Sequence, residues 1–114
     1  MWFMSHLSIL PTVLTDLEGL AAALEAEGYS VSRNGTVATL ASGVLPVDLV
    51  ASRHGRPCFA WRRPAPEQPL DLVTDLQRQV WSAATQLRLR KILRRYALIQ
   101  ALNSVDARAV VSVD

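Results

Sequence analysis

Residues 29–62, YSVSRNGTVATLASGVLPVDLVASRHGRPCFAWR, decide the architecture, because they hold both of the chain's hairpin signals. Asn34-Gly35 is the dipeptide that best tolerates the two successive positive φ angles of a type I′ turn, so the spacing predicts a hairpin at Arg33–Thr36. Pairing Arg33 with Thr36 puts Tyr29, Val31, Ala38 and Leu40 on one face and Ser30, Ser32, Val37 and Thr39 on the other. A second hairpin is expected where Val47–Ser52 and Pro57–Arg62 flank Arg53-His54-Gly55-Arg56, with a weaker turn dipeptide. In that pairing Leu49, Ala51, Cys58 and Ala60 share one side, and Val50, Phe59 and Trp61 share the other with Asp48 near Trp61. Both sides are apolar, so the pair is either covered twice or left with a sticky free face.

Outward from this block, Leu7–Leu10 alternates as a short strand that Pro11 ends. Thr15-Asp16-Leu17-Glu18 reads as a capping box; Leu17, Leu20, Ala21 and Leu24 follow at helical spacing, and Gly28 sits at the C-terminal cap, giving a helix over 15–27. Pro64–Pro69 is a Pro-rich extended loop, and Leu70–Leu76 alternates as another strand. A long helix is expected over 82–103, and Ala109–Val113 reads as a β-branched C-terminal strand. The sum is an α+β fold: one small domain over residues 1–114, with a mostly antiparallel sheet of two hairpins covered on one face by two helices.

A chain of 114 residues suits one domain, and its composition, half hydrophobic and 19% charged, is that of a folded protein rather than a disordered one. No apolar run approaches the roughly 18 residues of a membrane span, and the start MWFMSHLSIL lacks a basic leader region. With Cys58 alone, no intramolecular disulfide forms, and a cytoplasmic location is expected. The net charge of +2 hides a division: residues 1–50 carry −4 and residues 51–114 carry +6. This division fits an anionic partner, association between copies, or two neighbouring helices of opposite sign.

The segment Gln86–Asn103, QLRLRKILRRYALIQALN, holds five of the twelve basic residues. At 100° per residue, Leu89, Ile92, Leu93, Tyr96 and Ile99 form an ordinary core-facing stripe. On the opposite side Leu87, Lys91, Arg94 and Leu98 make a mixed cationic and apolar strip, with Ala101 and Leu102 beside it. Two readings stand side by side: arginine stems lying over stray leucines, or a face that docks a protein partner or a second copy. A nucleic-acid surface is the alternative, using Arg88, Arg90, Arg94 and Arg95, with Phe59 and Trp61 as a base-stacking platform.

Catalytic and metal chemistry finds few candidates. His6, His54 and Cys58 are too few for a tetrahedral zinc site, though His54 and Cys58 approach across the second hairpin. Asp71 and Asp75 are spaced for an acid–base pair but sit on what reads as a solvated strand face. The five glycines stand singly, so there is no phosphate-cradling loop. The expectation is a non-enzymatic interaction or assembly module, with no cofactor, no metal and no small-molecule substrate.

With these elements placed, the chain resembles the chloroplast hypothetical reading frame thirty-five family, a domain of unknown function in plastids, cyanobacteria and other bacteria. The resemblance rests on Met4-Ser5-His6, on Leu17–Tyr29, on Phe59-Ala60-Trp61, on Leu72-Val73-Thr74-Asp75-Leu76-Gln77 and on Tyr96-Ala97. It covers the chain from Met4 and makes residues 1–3 an upstream extension. The chain lacks the family's Pro-Trp before the long helix, and that helix is more basic than the family's pattern. The resemblance implies no assigned activity and supplies no catalytic residues.

Overall fold

Leu17, Leu20, Ala21 and Leu24 do wind into a helix, α1, which spans Leu17–Ala26 and buries Leu20 and Leu24 completely. Its C-terminus closes as a Schellman motif. The Tyr29 N–H donates to the Leu24 carbonyl at 3.0 Å and the Gly28 N–H to that of Glu25 at 3.1 Å, with Gly28 at φ +91°. The N-cap is Asp16 rather than Thr15, and its side chain makes no cap hydrogen bond. The carboxylate instead accepts from the side-chain amide of Gln100, 2.8 Å away, and Glu18 of the expected capping box pairs with Arg33.

The computed structural model describes residues 2–4, 7–39, 43–75 and 82–112. Besides α1 these form β1 (Trp2–Met4), β2 (Leu7–Pro11), β3 (Ser30–Thr39), β4 (Gly43–Arg53), β5 (Arg56–Arg62), β6 (Asp71–Asp75) and α2 (Ala83–Ser112). The six strands make one sheet in the order β1-β3-β4-β5-β6-β2; only β1 and β3 are parallel. Trp2 and Phe3 are part of the sheet, paired with Val37 and Ala38.

The hairpin expected at Asn34-Gly35 does not form. β3 runs through this dipeptide and pairs with β4 in a single register, from Ser30 opposite Ser52 to Thr39 opposite Gly43. A long ladder satisfies more backbone groups and buries more apolar surface than a tight hairpin of a few residues, so the global pairing overrides the local preference. Asn34 keeps a positive φ of 57° inside the strand, and the side-chain alternation reverses there. Val31 packs toward the helices, whereas Val37 and Val47 join the opposite cluster. Gly35 is closely packed: a Cβ there would lie 3.0 Å from Cγ2 of Val50, which would have to give by a few tenths of an ångström.

The second hairpin does form, and His54 (φ 54°) with Gly55 (φ 74°) supplies the two left-handed residues. Its faces differ from those expected. The register shifts after Ala51, which pairs with Phe59, to Ser52, which pairs with Pro57, leaving Cys58 as the extra residue of a bulge. One inserted residue flips every side chain beyond it, so Leu49, Ala51, Phe59 and Trp61 share the helix-covered face and Val50 and Ala60 the other.

β1 and β2 lie at opposite edges of the sheet, yet only two residues separate Met4 from Leu7. Three Cα steps span at most about 11 Å, whereas the edges of a flat six-stranded sheet are about 24 Å apart. The sheet is therefore rolled. A roll this small has room inside for side chains but not for a helix. Its inner face is thus the helix-free one, where Val37, Ala60 and Val73 are wholly buried beside Val47. The outer face carries the larger cluster, in which Leu49, Phe59, Trp61 and Leu72 meet Leu20 and Leu24 of α1 and Ile92 of α2. This is an α+β fold with both helices on one face.

α2 is 30 residues long, about 45 Å at 1.5 Å per residue. Ser82 caps it, its hydroxyl accepting the Thr85 N–H at 3.2 Å. The strand expected over 109–113 is instead helix as far as Ser112, and Val113 lies outside the described residues. No glycine or proline interrupts residues 83–112, and valine costs a helix well under about 1 kcal/mol. α2 rests mainly on α1, so its buried stripe is narrow. Ile92 is fully buried and Leu89 and Tyr96 partly so, while Leu93, expected in the stripe, is 37% exposed.

Candidate interaction surface

The strip read from the sequence is laid out on the free side of α2. Leu87 and Leu98 are 51% and 48% exposed, Lys91 and Arg94 lie exposed between them, and Leu102, at 52%, continues the line. Lys91, Arg94 and Leu98 also line a groove of about 270 Å³ with Glu27 and Arg95. Arg95 is held there by Glu27, Nε to Oε2 at 3.1 Å, so the acidic and basic halves of the chain meet in one ion pair at the end of α1. Arg88, Arg90 and Arg94 remain exposed. An exposed leucine between cations is a contact surface that water solvates poorly at the leucine and well at the charge.

The base-stacking platform is not available. Phe59 and Trp61 are 1% and 0% exposed, because the Cys58 bulge turns both toward the helices. Phe59 instead packs edge-on to Tyr29, with ring centroids 6.1 Å apart.

The bulge and the His54-Gly55 turn also open a cavity of about 450 Å³ between the tip of the second hairpin and the first turns of α2. Arg53, Arg56 and Arg88 line it with His54, and among the described residues no acidic side chain does. Arg53 stacks over the Tyr29 ring, its guanidinium carbon 5.3 Å from the centroid. The Tyr29 hydroxyl is buried and has no hydrogen-bond partner among the described residues. Burial, and then the nearby Cys58, push this phenol above its ordinary value of 10.0, against the pull of Arg53 and Arg88, so it is neutral at physiological pH.

No family model matches this chain, and no curated protein or solved structure matches it. Its function must come from its own surface.

His54 and Cys58 line the same cavity, as their approach across the hairpin predicts, and the Cys58 thiol donates to the Arg56 carbonyl at 3.4 Å. Among the described residues no group of three His, Cys, Asp or Glu side chains is placed to hold a metal, and His6 lies outside them. Asp71 faces Arg62 at 3.7 Å, an ion-pair distance too long for a hydrogen bond; the side chain of Asp75 is outside the described set. Among the described residues no helix is long and apolar enough to cross a membrane. What sequence reasoning missed is the meeting of Tyr29, Arg53, Arg56 and Arg88. The signal available was Arg53-His54-Gly55-Arg56, a turn flanked by arginine on both sides.

Proposed function

We propose that this protein is a non-enzymatic interaction module that docks an acidic, amphipathic segment of a partner protein along α2. The observation that carries the reading is the exposed line Leu87, Lys91, Arg94 and Leu98. Leucine supplies buried area on contact, and the cations select an acidic partner and suppress basic ones. Arg95 is already neutralised by Glu27, which leaves Lys91 and Arg94 as the charges offered to the partner. A nucleic-acid surface is the second reading, favoured by the exposed row Arg88, Arg90 and Arg94. It has lost its stacking residues to the core.

A test pairs the protein with two sets of amphipathic helical peptides of equal hydrophobicity, one acidic and one basic. Retention of the acidic set only, lost in Leu98→Glu and in the Lys91→Glu, Arg94→Glu double variant, supports the module. Binding of a single-stranded oligonucleotide with affinity falling steeply in salt, and no peptide retained, would move the assignment to nucleic acid. Concentration-dependent self-association abolished by Leu98→Glu would make the partner a second copy of this chain.

A further inference from the structure

The cavity at the hairpin tip has a chemistry of its own, apart from the docking strip. We propose that it binds a phosphoryl group, carried as a phosphate monoester on a small apolar body.

Arg53 and Arg56 come from the two ends of the β4–β5 turn and Arg88 from α2, so three guanidiniums from separate elements meet over one cavity. Converging like charges repel, and although Glu27 lines an adjoining hollow with Arg53 and Arg88, among the described residues no carboxylate within the cavity offsets them. A dianion does. The planar guanidinium donates two parallel hydrogen bonds to phosphate oxygens, which a carboxylate with one charge satisfies less well. Thr85 also lines the cavity, in the first turn of α2, where the helix dipole presents its positive end. Tyr29 lines it as well, with its unpartnered buried hydroxyl.

The size and the walls decide against a bare ion. About 450 Å³ is the volume of a small-molecule pocket, and the accessible side chains of Pro57 and Cys58 line part of it. A phosphate ester places its charge among the arginines and its organic body on these apolar groups.

Phenyl phosphate is the probe, titrated at low ionic strength while backbone amide NMR signals are followed. Saturable shifts confined to residues 53–58 and 85–88 are expected, with affinity several-fold above that for inorganic phosphate. Arg56 and Arg88 are exposed, so Arg56→Gln and Arg88→Gln keep the fold, which circular dichroism checks. Each weakens binding by about tenfold or more, the worth of a charge-assisted hydrogen bond, while Arg94→Gln leaves it unchanged. Shifts that never saturate, or a loss as large in Arg94→Gln as in Arg88→Gln, overturn the proposal. The site is separate from Leu98 of the docking strip: the Leu98→Glu variant that abolishes peptide docking retains phenyl phosphate binding.

Discussion

The side-chain amide of Gln100 donates to the Asp16 carboxylate at 2.8 Å, joining the start of α1 to the middle of α2 across 84 positions of sequence. The Tyr96 hydroxyl, one turn earlier on α2, accepts the Asp16 N–H at 3.1 Å. Together they hold α2 against the start of α1, while the Glu27–Arg95 pair holds it against the end of α1.

This contact is acid-labile. The Gln100 amide holds Asp16 below its ordinary value of 3.8, against the opposing effect of burial. A depressed carboxylate stabilises the fold above its unfolded pKa, and that stability is lost as pH falls through the folded value. Thermal unfolding should therefore be level above about pH 5 and decline below 3.8, and Gln100→Ala should bring Asp16 back toward 3.8 in an NMR titration. An Asp16 that titrates at 3.8 in the unmodified chain contradicts the assignment.

Gly19 stands where the two helices meet. Glycine to alanine within a helix usually gains roughly 0.5–1 kcal/mol. Here the new methyl would lie 2.6 Å from Nε2 of Gln100 and 2.7 Å from Oδ2 of Asp16, so their hydrogen bond must give way. Gly19→Ala is expected to be neutral or destabilising on its own and stabilising in a Gln100→Ala background. A urea-unfolding double-mutant cycle measures the coupling.

Gly35 tests the long ladder. Its Cβ would meet Cγ2 of Val50 at 3.0 Å, so Gly35→Ala makes that valine give by a few tenths of an ångström, at a cost expected near the low end of the roughly 1–3 kcal/mol of overpacking. In Val50→Ala that penalty should disappear, an outcome that a Gly35 held in an exposed hairpin turn would not give.

The two sides of α2 should answer differently to truncation. Ile92 is wholly buried and Leu98 is 48% exposed. Ile92→Ala should cost about 2–5 kcal/mol in urea unfolding, and Leu98→Ala should stay within about 0.5 kcal/mol. Comparable losses at both positions would mean that Leu98 is covered within the chain.

The residues that carry the family resemblance sit mainly in the core. Phe59, Trp61 and Leu72 are buried beneath the helices, and Tyr96 packs against the same cluster. Such residues mark how the chain packs and name no site.

Read alone, the sequence determined the elements whose signals are local. α1 with Gly28 at its end, the β4–β5 turn at His54-Gly55, the start of α2 at Ser82 and the exposed line on α2 all depend on residues within a few positions of one another. Only the tertiary structure decided what depends on distant partners. Asn34-Gly35 became strand because β4 offered a longer ladder than a turn could. Cys58 reversed the faces of β5 because a bulge is set by the neighbouring strand's register. The arginine-lined cavity exists because that bulged hairpin ends beside the first turns of a helix some 30 positions further along the chain. Propensity and capping act over one turn of chain, whereas register and convergence are settled by backbone hydrogen bonds and burial between segments far apart in sequence.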